Sequence, residues 1–201
     1  MSSFRKMIML IIHPSLLFNK IKWEAQKRKL GSCGKNSRLG EGFRVIGAEN
    51  IFLGNDVEGG RFVSLCTWKH EVSISRVDSC HPRITIGNNV HITEFSYISC
   101  LNEVNIGDGT LIGVNTFITD NYHGKSTKEE MNIPPHERTL YSSGSVTIGK
   151  NVWTGRNVCI LPNVTIGDGA IIGANSVVTH DIPANCIAVG APAHIIREVF
   201  D

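Results

Sequence analysis

His123 stands in the stretch Ile118, Thr119, Asp120, Asn121, Tyr122, His123, Gly124, where a regular sequence stops being regular. An imidazole with an ordinary pKa of about 6.5 can take a proton from a weakly nucleophilic hydroxyl or amine at neutral pH, and such a base contributes about 10² to 10⁴ in rate. Asn115 and Asp120 are close enough in sequence to orient the ring or hold an acceptor. Either residue type serves as often as a turn former that satisfies backbone donors. Cysteine offers a second nucleophile, through Cys100 or Cys159. Neither has a histidine nearby in sequence or a helix N-terminus to lower its pKa, so small buried packing is the expected role.

The elements that position His123 follow a clock of six residues. From Ile148 the positions Ile148, Thr154, Ile160, Ile166, Ile172 and Val178 are evenly spaced. The fourth residue after each is Val152, Val158, Val164, Ala170, Ser176 and Ile182, so both columns are apolar or small. The same pattern runs through Ile86, Ile92, Ile98 and Ile106, Ile112, Ile118, and more weakly through Cys33, Leu39, Val45 and Leu53, Gly59, Leu65. Three hexads make one turn of three short strands, and successive turns stack at about 4.8 Å as parallel neighbours. A helix is a poor competitor, because six does not match its 3.6-residue period and Gly, Val, Ile and Thr disfavour it. Two intervals are too long, Leu53 to Ile86 and Ile106 to Ile148. They predict excursions at about 66–83 and 119–146, and a long loop on a rigid stack is functional or disordered.

Composition narrows the classes. The chain has 201 residues, 41% of them hydrophobic, which is enough for a core. A net charge of +2 from 20 basic and 18 acidic residues gives nucleic acid no concentrated positive surface. The six cysteines are scattered without a C-x-x-C pair, as reduced cytosolic thiols would be. Met7 to Ile12 is too short to span a bilayer, which takes about 20 residues. Residues Pro14 to Leu30 read as a helix with apolar Leu17, Ile21 and Trp23 and basic Lys20, Lys22, Lys27, Arg28 and Lys29. It either covers the open end of the stack or rests as a basic amphipathic segment on a membrane surface. The division expected is a helical segment at 1–32, a β-helix domain at 33–183 and a C-terminal extension at 184–201 that ends in a short helix.

The isoleucine-glycine hexads, the string from Ile148 to Gly155, the run from Ile160 to Gly167 and the ending Val189, Gly190, Ala191, Pro192, Ala193 together resemble the hexapeptide-repeat acyltransferases. The resemblance extends over about 33–197. It is greatest to the sugar O-acetyltransferases of the galactoside and maltose group and to those of lipopolysaccharide or capsule synthesis. It implies an all-β fold, a left-handed parallel β-helix that departs from the usual right-handed crossover. It also implies a cytoplasmic homotrimer with active sites between neighbouring subunits, acetyl-coenzyme A as donor and no metal. His123 matches the catalytic histidine that follows a coil and precedes the extended loop. The positions matching the coenzyme site are Trp153, Gly155, Arg156, Ala174, Thr179, His180, His194 and Arg197. Here 180 and 194 are histidines where relatives often carry Lys or Arg, so phosphate recognition shifts towards Arg156 and Arg197. Trp153 is as readily simple packing. An asparagine that binds sugar in galactoside-type relatives aligns with Phe95, so the acceptor set does not carry across whole.

Other activities on the same scaffold stay open at this level. Aminosugar N-acetyltransferases and drug-modifying acetyltransferases need the same base. Serine acetyltransferases usually carry a larger helical N-terminal domain. A γ-type carbonic anhydrase needs two histidines five apart after an earlier one, which His70, His81, His91, His123 and His136 do not supply. A non-catalytic trimeric scaffold is the remaining alternative.

Overall fold

The computed structural model describes residues 14–69 and 81–199. His70, Cys80, the run Met7 to Ile12 and most of the first excursion lie outside the described residues. Short strands recur in threes and stack into three sheets, here called faces A, B and C. Face A holds six strands, from Ser32–Cys33 to Val164–Ile166, and face C holds six, from Arg44–Ile46 to Val177–Val178. Face B holds eight, from Arg38–Leu39 to Ala193–Glu198. Neighbouring strands within each face are parallel up to the last pair of face B. The result is a triangular parallel β-helix, consistent with the left-handed form expected.

Both hexad columns point inward. Ile148, Thr154, Ile160, Ile166, Ile172 and Val178 are buried, as are Val152, Val158, Val164, Ala170, Ser176 and Ile182. Each fully buried Ile or Val stabilises the fold by about 1.5–3 kcal/mol relative to exposure. The polar members are satisfied: Thr154 Oγ1 accepts from Gly113 N at 2.9 Å. At the edges the chain turns through left-handed backbone, which suits Gly, Asn and Asp. The B–C edge uses Gly42, Phe62, Phe95, Asn115, Asn157 and Asn175 there. Its asparagines form a ladder, Asn115 to Asn157 at 3.0 Å and Asn157 to Asn175 at 2.9 Å. Phe62 and Phe95 instead stack their rings, with centroids 5.4 Å apart.

Helix α1, Pro14–Lys27, covers the first coil. Trp23 is buried, meets Phe43 edge to face at 5.7 Å and donates Nε1–H to Ser37 O at 3.1 Å. Lys22 Nζ donates to Phe43 O at 3.3 Å.

The C-terminal extension corrects the sequence expectation of a short helix. Ala193–Glu198 is a strand, antiparallel to Cys186–Gly190, with a register shift between Ile187 and Ala188. The physical reason is local. Pro192 restarts the chain after Gly190 at positive φ, Ile195 and Ile196 favour extended backbone, and the edge of Cys186–Gly190 offers a ladder to pair with.

Candidate active site

Strand Phe117–Thr119 is the last on face C before the second excursion. Its Thr119 sits over Ser99 of the coil below, which brings Asp120 over Cys100. Asp120 is fully buried, and its carboxylate accepts from Leu101 N at 2.7 Å, Asn102 N at 2.8 Å and Asn121 Nδ2 at 3.0 Å. Burial pushes the Asp120 carboxyl above its ordinary range, and the hydrogen bonds from Asn121, Leu101 and Asn102 pull the other way. Asn121 adds bonds from Nδ2 to Ser99 O and Ser99 Oγ. Asp120 and Asn121 thus clamp the departing chain to the preceding coil.

Beyond the clamp, Tyr122–His123 pairs antiparallel with Leu140–Tyr141. Leu140 is buried against Leu101 with Trp68 beside them, a small satellite core under the hairpin. Trp68 Nε1–H donates to Ser99 Oγ at 2.8 Å. Gly124 then turns at φ 88° and donates to Thr139 O at 3.0 Å. A Cβ there would stand 2.6 Å from Glu130 Oε2 and 2.8 Å from Arg138 Cδ, so the position requires glycine. The loop returns through the 3₁₀ turns Glu130–Asn132 and Pro135–Glu137.

His123 is exposed, and its ring bonds to no described residue of its own chain. It opens onto a shallow groove lined by Tyr122, Gly124, Lys125, Ser126 and Tyr141. Lys125 Nζ lies over the Tyr141 ring, 5.1 Å from its centroid. Neither Asn115 nor Asp120 touches the imidazole: Asn115 belongs to the B–C edge ladder and Asp120 to the clamp. The clamp, the satellite core and Gly124 are residues that sequence reasoning missed. The register of one coil on the next held the signal for Asp120.

The cysteine alternative fails on environment. Cys100 is buried, burial and the Asp120 carboxylate push its thiol far up, and its Sγ–H donates to Arg83 O at 3.3 Å. Burial raises Cys159 as well. Among the described residues no group of three His, Cys, Asp or Glu converges as metal ligands would.

The remaining candidates divide between two edges. Gly155, Arg156 and Ala174 lie at the B–C edge, where Gly155 N bonds Ile172 O at 2.7 Å and Asn175 N bonds Arg156 O at 2.8 Å. His194 joins them: it pairs with Val189 and lies 3.2 Å from the Cβ position of Gly190, whose N–H donates to Ser176 Oγ. Trp153 is 52% exposed on face B, in one outward row with Ile171, Ile187 and Arg197. Thr179 and His180 follow Val177–Val178 at the opposite edge of face C, hydrogen-bonded to each other at 2.8 Å. That is the edge from which the His123 hairpin departs. A face C strand of three residues is about 10 Å long, and this separates the two groups within one chain.

Comparison with known proteins agrees with this architecture. Residues 145–180 match the family described as Bacterial transferase hexapeptide (six repeats). Over 119 residues the chain is 44% identical to the Putative lipopolysaccharide biosynthesis O-acetyl transferase WbbJ of Escherichia coli K12, covering 57% of this chain and 60% of that protein. Over 116 residues it is 40% identical to the Galactoside O-acetyltransferase of the same organism, covering 57% of each. The matches thus span less than two thirds of these relatives. Among solved structures, a mutant of AntD, an N-acyltransferase from Bacillus cereus in complex with dTDP and Coenzyme A, matches with a TM-score of 0.72 at 25% identity, over 87% of both chains.

Proposed function

We propose that this hexapeptide-repeat chain is an acetyltransferase that moves acetyl from acetyl-coenzyme A to a hydroxyl of a sugar, in surface polysaccharide synthesis, with His123 as general base. The observation that carries the reading is the placement of His123: exposed, with no ring bond among the described residues, on a hairpin fixed by a buried clamp and a satellite core. In the reaction the acceptor oxygen bonds to the thioester carbonyl carbon while His123 takes its proton. The carbon–sulfur bond then breaks, and the departing thiolate takes that proton from the imidazolium. The donor set suits a phosphate-bearing thioester, since Arg156, His194 and Arg197 are exposed on one side of the prism.

The division of candidates between edges supports an assembly of copies. In the homotrimer that the hexapeptide-repeat resemblance implies, the B–C edge of one subunit set against the His123 edge of the next unites them in one cleft. A monomer in light scattering overturns this assembly.

Likeness to an N-acyltransferase favours a second reading, transfer to the amine of an aminosugar, which needs the same base. Thiol release from acetyl-coenzyme A, measured across hydroxyl sugars and aminosugars, separates the two. The proposal expects ester products that hydroxylamine cleaves, whereas amide products select the second reading. Full turnover in a folded His123→Ala protein overturns the role of the imidazole in both.

A further inference from the structure

Helix α1 has two apolar sides, and the prism uses one of them. Trp23 points into the first coil. On the side away from it, Leu17 is 43% exposed, Phe18 70% and Ile21 60%, and Ala25 continues the stripe as an exposed residue. Leu17, Ile21, Ala25 and Arg28 are spaced four, four and three residues apart, the spacing of a single helical face. A helix that only covers the end of a stack presents polar residues to water there.

Charge says what covers the stripe. Residues 1–30 hold seven Lys or Arg and a single acidic residue, Glu24, although the whole chain has a net charge of only +2. The remainder of the protein is therefore net acidic, and the excess positive charge is concentrated in this N-terminal stretch of sequence. Glu24 is itself neutralised by Lys27 at 2.8 Å. Lys20 and Arg28 are exposed and lie along the apolar stripe. Directly upstream in sequence lie Arg5 and Lys6 and the apolar run Met7 to Ile12, with no acidic residue before Glu24. An apolar stripe bordered by cations fits an anionic lipid surface, where the rings and aliphatic chains enter the interface and the cations meet headgroup phosphates. An acidic protein groove would supply charge but no sheet of phosphates for cations along the whole segment. The stripe runs along the length of α1, so contact is parallel to the surface, and no described helix is long and apolar enough to cross a membrane.

We infer that α1 is a peripheral membrane-binding face, docking the end of the prism on anionic phospholipid through Leu17, Phe18 and Ile21 with Lys20 and Arg28. The test is sedimentation of the full chain with vesicles of phosphatidylcholine alone, or with about one third phosphatidylglycerol, at low and high salt. The expected result is binding to the anionic vesicles that salt weakens. Phe18→Ser/Ile21→Ser should lower the partition coefficient at least about tenfold, and Lys20→Gln/Arg28→Gln several-fold on anionic vesicles alone. Both variants should keep the parent melting temperature and turnover on a soluble acceptor. Failure of the parent chain to sediment with anionic vesicles overturns the inference. Undiminished binding by Phe18→Ser/Ile21→Ser also overturns it, by assigning the contact to the upstream run. So does a change in oligomeric state without lipid in that variant, which makes the stripe a contact between copies. Vesicle binding is read without turnover, so it stands or falls separately from the proposed reaction.

Discussion

Asp120 and His123 lie three residues apart on one segment and meet opposite surroundings. The carboxylate is fully buried, with its oxygens taken by Leu101 N, Asn102 N and Asn121 Nδ2, and the imidazole stands in solvent with no bond to the described chain. The sequence offers His123 as a base and Asp120 as its orienter or a turn former, and the fold makes the carboxylate a fastener and leaves the imidazole exposed. The difference teaches that a reactive side chain on an excursion depends on a neighbour that does no chemistry. A buried carboxylate in contact with backbone N–H groups costs desolvation, but it fixes the departure angle of the chain from the prism.

The comparison can be broken most sharply at His123. His123→Ala should lower kcat/KM by about 10² to 10⁴ and leave the melting temperature unchanged. An equal loss of stability would make His123 part of the fastening. Asp120→Ala should do the reverse in emphasis. It leaves the buried N–H of Leu101 without an acceptor, at a cost of about 1–3 kcal/mol, and the part-buried N–H of Asn102 without its side-chain partner, read together as a lower urea midpoint. Its turnover should also fall as the hairpin loosens, with the loss recovered in part by Asp120→Asn, which keeps one acceptor oxygen. An unchanged midpoint in Asp120→Ala would remove the clamp from the account.

Gly124→Ala tests the far side of His123. Left-handed backbone costs a side chain about 1–2 kcal/mol, and the new methyl meets Glu130 and Arg138. Proteolysis within the loop should quicken while the prism melts as before.

The smallest effect is a pH slope. Burial holds the Asp120 carboxyl above its ordinary value, so the folded chain binds that proton more readily than the unfolded chain. Its contribution to stability is therefore full below the unfolded pKa of about 3.9 and is lost as pH rises through the folded value. Relative to Asp120→Asn, the parent should lose stability across that window, as urea midpoints at stepped pH will register. A difference that does not vary with pH would show that Asp120 titrates alike in both states.

Much of the prism was legible because burial and period coincide. Every residue of the two hexad columns from Ile148 onward is inside, polar Thr154 and Ser176 included. The location of His123 followed from the same count, since Ile118 is the last inward hexad residue before the chain departs. The clamp was harder to see because its partners are 18 and 19 residues upstream, a relation set by stacking rather than by local pattern. The C-terminal strand was misjudged because six residues without hexad spacing have no period of their own. Their conformation comes from the edge they pair with. The role of α1 stayed open between an end cap and a surface-lying segment because Leu17 and Ile21 fit either, and the burial of Trp23 with the exposure of Leu17 and Ile21 shows which side faces inward.

The two ends of the stack differ in kind. Parallel coils leave unpaired backbone at either end, a template on which another coil, or another molecule, could add without limit. Helix α1 removes the template at one end, and the reversed strand Ala193–Glu198 removes it from face B at the other. A solenoid covered in this way offers less open backbone for head-to-tail growth. The long faces and edges, where the exposed chemistry lies, are the surfaces left for the assembly proposed above, so the device that limits polymer growth also narrows the choice of contact.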